Sequence, residues 1–284
     1  MTRTAAVIGA GVMGTGIAHA CVLAGWRTAL FDADASAAER GLPKVRELLE
    51  GGVRRGKLDA AVAAEASARL RAASSIREAC READLVIEAV VEDAGVKRDV
   101  LARASDWAEP HALLATNTSA LPVGELAADL PRPGRLVGLH FFNPVPVMRL
   151  VEIVVHEAVE PATVEEARQV VASLGKEAIV VRDTPGFASS RLGIVLGLEA
   201  IRMLEQGVAE AADIDRAMEL GYNHPMGPLR LTDLVGLDVR LRVAEVLHRE
   251  LGGDQYAAPA LLRRLVADGH LGRKSGQGFY RWED

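Results

Sequence analysis

Glycine spacing near the start of the chain sets up the first piece of chemistry. Gly9-Ala10-Gly11-Val12-Met13-Gly14 follows the apolar run Ala5 to Ile8, and Asp32 comes after the next apolar run, Ala29-Leu30-Phe31. A G-x-G-x-x-G turn between a buried strand and a helix, with an acid about 20 residues further on, suits a dinucleotide. Gly9 permits the tight turn, Gly11 lets the backbone approach a pyrophosphate, and Gly14 lets the helix pack closely on its strand. Val12 and Met13 complete the loop, whose free N–H groups at the helix start face the phosphates. Asp32 can accept hydrogen bonds from ribose hydroxyls and would repel a 2′-phosphate at the same place. Ala33-Asp34-Ala35 offers no arginine to hold that phosphate, so NAD is expected rather than NADP.

A second group of residues would move a proton. His140 ends the apolar strand Leu136-Val137-Gly138-Leu139, and open α/β sheets bind ligands at the carboxyl ends of their strands. An imidazole there could take the proton of an alcohol as hydride leaves its carbon. Glu152 lies within the apolar segment Leu150-Val151-Glu152-Ile153-Val154, where a carboxylate is costly to bury without a partner. Two readings stand: Glu152 orients His140, or it turns to the solvent face of an edge strand. Asn117-Thr118-Ser119 follows the strand Leu113 to Thr116. These small polar groups could reach a nicotinamide and a substrate oxygen, or simply cap a turn.

Positioning these residues requires alternating strands and helices. The helix Thr15 to Ala24 and the strand Arg27 to Phe31 precede a long helical region, about 35 to 71, broken by Gly51-Gly52 and Gly56. Asp84 to Val90, Leu113 to Thr116 and Leu136 to Phe142 read as strands buried on both faces. A helix is expected around Val123 to Leu130, a strand at Leu150 to Val155, a helix at Thr163 to Leu174 and a strand at Glu177 to Val181. Such repeats imply a Rossmann-type, doubly wound, mostly parallel sheet covered by helices. After Asp183-Thr184-Pro185-Gly186 the strands stop. Helices are expected at Phe187 to Gln206, Glu210 to Leu220, Asp233 to Leu251 and Pro259 to Asp268. The division is therefore 1–183, a nucleotide-binding domain, and 184–284, a smaller all-helical domain. Leu192, Val195, Leu196 and Ile201 give the latter more apolar surface than four helices would bury, which implies a homodimer through this region.

Bulk properties exclude several classes. A net charge of −6 argues against nucleic acid as the main partner, and no apolar run is long enough to span a membrane. Cys21 and Cys80 read as buried, reduced residues. The chain starts directly with strand-forming sequence, so no signal segment is expected and the cytoplasm is the expected setting. No residue is assigned to a metal.

The order of the motifs carries a family resemblance. The Gly9 to Gly14 loop, Asn117-Thr118-Ser119, Gly138-Leu139-His140-Phe141-Phe142-Asn143-Pro144-Val145-Pro146, Leu150-Val151-Glu152 and Asp183-Thr184-Pro185-Gly186-Phe187 occur in sequence. Pro225-Met226-Gly227-Pro228 and Gly272-Arg273-Lys274-Ser275-Gly276-Gln277-Gly278-Phe279-Tyr280 extend the likeness across nearly the whole chain. This resembles the 3-hydroxyacyl-CoA dehydrogenases, including bacterial 3-hydroxybutyryl-CoA dehydrogenases. The resemblance implies that His140 is the catalytic base, Glu152 its orienting carboxylate, and Ser119 the group that hydrogen-bonds the substrate 3-oxygen. It implies that Asn117 contacts the cofactor and that Asn143 supports the site around His140. Glu92 and Lys97 would lie near the nicotinamide ribose; read from the residues alone they form a solvated pair on a helix. Lys57, beside Arg54 and Arg55, would meet the CoA phosphates, although a solvated helix end would give the same cluster.

One position departs from the family pattern. An asparagine that helps hold the substrate usually precedes the Arg-Leu pair, and this chain has Ser190 before Arg191-Leu192. Serine is shorter and lacks the amide's paired donor and acceptor. The activity implied is reversible, NAD-dependent oxidation of a 3-hydroxyacyl-CoA, with the substrate between the two domains. A carrier-protein thioester, a free 3-hydroxy acid and an NAD-binding module without turnover are the alternatives.

Overall fold

The computed structural model describes residues 2–283. They form two compact units, divided after Asp183: 2–183 and 184–283.

The first unit is built on one eight-stranded sheet. Its strands are β1 (Thr4–Ile8), β2 (Arg27–Phe31), β3 (Leu70–Ala72), β4 (Leu85–Glu88), β5 (Leu113–Thr116), β6 (Leu136–Phe141), β7 (Leu150–Val155) and β8 (Glu177–Arg182). Their order is β3-β2-β1-β4-β5-β6-β7-β8. Every pairing is parallel except β6 with β7. Only the short segment 142–149 joins those two strands, too little chain for the crossover that a parallel pair needs. The sheet order changes direction at β1, flanked by β2 and β4, which leaves a crevice at the carboxyl ends of these strands. The strands from β1 to β7 are rich in Ala, Val, Leu and Ile because helices cover both faces.

Those helices are α1 (Val12–Leu23), α2 (Ala35–Arg54), α3 (Ala60–Ala68), α4 (Ile76–Cys80), α5 (Ala94–Trp107), α6 (Val123–Ala127) and α7 (Pro161–Ser173). The expected break at Gly51-Gly52 does not occur: α2 runs through both glycines and ends at Arg54, capped by Arg55 just before Gly56 at φ +65°. The expected helical region to 71 also contains β3, a three-residue strand parallel to β2. A strand that short carries no readable period, and only its pairing defines it. The helix expected to reach Leu130 stops at Ala127.

The second unit contains α8 (Ser189–Glu205), α9 (Ala211–Gly221), α10 (Pro228–Val235), α11 (Leu237–Leu251) and α12 (Ala260–Ala267). The single helix expected over Asp233 to Leu251 is two helices. Gly236, at φ +101°, breaks the chain between them, and Pro228 starts the first. Ile194, Leu198, Ile201, Leu229, Leu237 and Leu247 lie at the centre of this unit's core. No helix of the described residues is long and apolar enough to cross a membrane.

Candidate active site

The glycine loop adopts the geometry its spacing requires. Gly9 has φ +110°, and a Cβ there would lie 2.5 Å from the Ala89 carbonyl oxygen. A Cβ on Gly14 would lie 1.8 Å from the Gly9 oxygen, so α1 can start this close to β1 only with glycine. Gly11 is different, because a Cβ would meet nothing within 4 Å. It borders open space at the start of α1, where no side chain caps the first N–H groups. Uncapped donors beside an open approach fit a pyrophosphate. Val12 is exposed and Met13 half-buried beside it. A cavity of about 500 Å³ adjoins the loop, lined by Gly9, Gly11, Phe31, Asp32, Val90 and Val96 among others. Its apolar walls and single carboxylate suit an adenosine.

Asp32 has a second task that its position in the sequence does not reveal. Its Oδ2 accepts from the Ala10 N–H at 2.8 Å and Oδ1 from the Asp34 N–H at 3.0 Å. One side chain therefore fixes the glycine loop and ends β2. Each oxygen keeps a lone pair for a ribose hydroxyl.

His140 and Glu152 are brought together. They are directly paired in the β6–β7 register, and His140 Nδ1 lies 2.7 Å from Glu152 Oε2. Glu152 is fully buried. The edge-strand reading of Glu152 fails because β8 pairs along the other side of β7, leaving β7 inside the sheet. The Phe142 ring packs against the imidazole at 4.5 Å between centroids.

A buried ionic cluster orders the end of β5. Lys97 Nζ lies 2.8 Å from Glu88 Oε1 and 3.3 Å from Glu92 Oε2, with Lys97 1% exposed. The solvated-pair reading fails for Lys97, which is desolvated, whereas Glu92 keeps 38% of its side chain exposed. Glu88 also accepts from the Val90 N–H at 2.7 Å and from Thr116 Oγ1 at 2.6 Å. Glu92 Oε1 accepts from Thr118 Oγ1 at 2.6 Å, the Ser119 N–H at 2.8 Å and the Ala120 N–H at 3.1 Å. Burial opposes its charge, but Lys97 and these donors outweigh burial and hold the carboxyl below its ordinary range. Sequence reading missed Glu88 and Thr116, and singled out Thr118 only as part of the polar segment Asn117-Thr118-Ser119. Glu88 carried a usable signal, an acid closing the apolar run Leu85-Val86-Ile87, the same pattern that marked Glu152.

The remaining positions are more dispersed. Asn117 Oδ1 accepts from the Phe141 N–H at 2.9 Å, tying the end of β5 to β6 one residue beyond His140. Ser119 is exposed, its Oγ 3.3 Å from Glu92 Oε1. Asn143 is exposed in the loop after β6 and is joined to Pro144 by a cis peptide bond. Lys57 is exposed in the turn between α2 and α3. A shallow cavity of about 490 Å³ between those helices has Arg46 and Arg54 among its lining residues. Ser190 is half-buried in the first turn of α8, in the second unit.

Comparison with known proteins gives one consistent result. The family described as "3-hydroxyacyl-CoA dehydrogenase, NAD binding domain" matches residues 4–184, and "3-hydroxyacyl-CoA dehydrogenase, C-terminal domain" matches residues 186–282. The chain is 41% identical over 278 residues to a probable 3-hydroxybutyryl-CoA dehydrogenase of Bacillus subtilis, covering 98% of this chain and 96% of that one. It is 40% identical to the 3-hydroxybutyryl-CoA dehydrogenase of Bradyrhizobium diazoefficiens, covering 96% and 93%. Among solved structures, (S)-3-hydroxybutyryl-CoA dehydrogenase PaaH1 from Ralstonia eutropha superposes with a TM-score of 0.95 at 37% identity, covering all of both chains.

Proposed function

The chain belongs to the 3-hydroxyacyl-CoA dehydrogenase family, and on that premise we propose which of its residues carry the reaction. It is an NAD-dependent oxidoreductase that interconverts a short-chain 3-hydroxyacyl-CoA and the 3-ketoacyl-CoA. NAD, when bound, supplies the acceptor for the hydride leaving C3.

His140 is the base. Its Nδ1–H is donated to Glu152, which fixes the tautomer and leaves Nε2 as the nitrogen that takes the 3-hydroxyl proton. Glu152 stabilises the imidazolium formed by that transfer. In the reducing direction, Nε2 returns the proton to the oxygen on C3. Ser119 holds the same oxygen by hydrogen bonding, and Glu92 keeps the Ser119 backbone in place. Gly9 to Gly14 with Asp32 hold the dinucleotide, and Glu92, Lys97 and Asn117 flank its nicotinamide end. Asn143 and Ser190 contact substrate, and Lys57 with its neighbouring arginines attracts the CoA phosphates.

The observation that carries this reading is the 2.7 Å contact between His140 and Glu152, with the carboxylate fully buried. We assign 1–183 to NAD binding and 184–284 to substrate holding and to a homodimer, for which the exposed Leu192 and half-buried Val195 and Leu196 of α8 supply apolar surface. The cytoplasm is the proposed location, supported by the two free, buried cysteines. Purified protein supplied with acetoacetyl-CoA should oxidise NADH. Absence of that activity, with 3-hydroxybutyryl-CoA and NAD also inert, refutes the reading.

A further inference from the structure

The loop that turns β6 into β7 is held by a cation from outside it. Residues 142–149 carry Asn143 and Phe142, whose ring packs against the His140 imidazole. The loop contains a single turn, in which the Pro144 carbonyl accepts from the Val147 and Met148 N–H groups at 2.9 and 3.0 Å. One turn leaves carbonyls that its own N–H groups cannot satisfy. Lys176, the residue before β8, supplies the donor. Its Nζ donates to the Val145 oxygen at 2.5 Å and to the Met148 oxygen at 2.7 Å.

The surroundings give this lysine no other employment. Among the described residues no carboxylate pairs with its ammonium, and the adjacent Glu177 pairs with Arg149. Burial alone lowers its pKa. The nearby groups are basic: Lys176 and Arg55 both disfavour a charge on His19. An ammonium partly withdrawn from water needs acceptors, and the two loop carbonyls are those acceptors. Hydrogen bonds from a charged donor are roughly twice as strong as neutral ones. Steric contact fixes the other side of the loop. Val145 is 2% exposed, and a Cβ on Gly16 would lie 2.8 Å from the Val145 Cβ. Glycine inside a helix is unfavourable, yet here it lets the loop lie close against α1. The loop is thereby clamped between α1 and the Lys176 ammonium.

We propose that Lys176 is a positioning residue for the reaction: by holding the Val145 and Met148 carbonyls it fixes the loop, so that Phe142 supports the His140 ring and Asn143 meets the substrate. Two contacts hold that ring, Glu152 at Nδ1 and the tilted Phe142 ring at 4.5 Å between centroids. The first sets the tautomer and the second the tilt. Proton transfer needs Nε2 within hydrogen-bond reach of the 3-hydroxyl, so a displacement of about 1 Å is costly in rate. The inference rests on the reading of His140 as the base.

The test compares Lys176→Met with Lys176→Arg in the reduction of acetoacetyl-CoA by NADH. Methionine keeps an apolar stem and donates nothing, whereas arginine keeps the charge and the donors. Lys176→Met should lower kcat at least about fivefold, with the NADH dissociation constant within about twofold of the parent. Lys176→Arg should recover most of that loss. A smaller loss in Lys176→Met overturns the proposal. An equal loss in both variants also overturns it, because the effect would then belong to side-chain fit. Hydrogen exchange reads the loop directly. In Lys176→Met the Val147 and Met148 amides should exchange at least about tenfold faster, while those of β1 keep the parent rate. An unchanged loop, or the same acceleration in β1, overturns the proposal. Should Lys176→Met fail to fold, Lys176→Gln, shorter and uncharged yet polar, takes its place under the same thresholds. Activity of the parent separates the two levels. Its absence removes the proposed reaction and this role with it, whereas its presence with an unaffected variant removes only the role of Lys176.

Discussion

His140 and Glu152 face each other across the antiparallel seam of the sheet, Nδ1 to Oε2 at 2.7 Å, with the carboxylate wholly out of water. Directly opposed residues on antiparallel strands project to the same face with their Cβ atoms about 5 Å apart. Reversing the chain over residues 142–149 is therefore what makes the pair. Glu152→Gln preserves shape and removes the charge that stabilises the imidazolium. It should lower kcat about 100-fold and leave the NADH dissociation constant within about twofold. His140→Ala should abolish turnover with the same indifference in NADH binding. A Glu152→Gln enzyme within threefold or so of the parent kcat would refute the assigned pairing.

Asp32 joins cofactor choice to loop order. Asp32→Ala should cut the preference for NAD over NADP, measured as the ratio of kcat/KM values, by about tenfold or more. Because the Ala10 N–H also loses its acceptor, the variant should be less stable by about 1 kcal/mol. An unchanged cofactor ratio would mean that the carboxylate serves the loop alone.

The Lys97–Glu88 pair is almost completely desolvated. Lys97→Met leaves Glu88 buried without its cation and should cost about 3 kcal/mol in urea unfolding. Adding Glu88→Gln to Lys97→Met should recover part of that loss, since the remaining amide carries no charge. A loss below about 1 kcal/mol would show that water reaches Glu88.

His19 gives stability a pH dependence. Burial first, then Lys176 and Arg55, pulls its pKa from 6.5 to about 4. The unfolded chain thus binds more protons between these values. The contribution is fully present above pH 6.5 and is lost as the pH falls towards 4. The loss amounts to as much as ~3 kcal/mol. His19→Gln should flatten this part of the stability profile. A slope unaltered by the substitution would place the responsible proton elsewhere.

Local sequence determined the parts of the molecule whose causes are local. The spacing of Gly9, Gly11 and Gly14 after an apolar run dictates a strand, a tight turn and a helix, because the steric conflicts lie within a few residues. The continuous apolar runs of β4, β5 and β6 announce a sheet covered on both faces, and the end of such runs after 183 announces helices. The chemistry depends on contacts between distant segments. Glu152 inside an apolar run fitted a buried partner or a solvent face equally well, and the flanking β8 decided between them. Lys97 looked like half of a surface pair with Glu92 until packing enclosed its ammonium with Glu88 and Thr116 and left only Glu92 near water. A charge's worth depends on how much water remains around it, and only packing sets that. The same holds for Arg240, an ordinary helix residue in sequence that tertiary structure strips of solvent, with no hydrogen-bond partner for its Nε among the described residues.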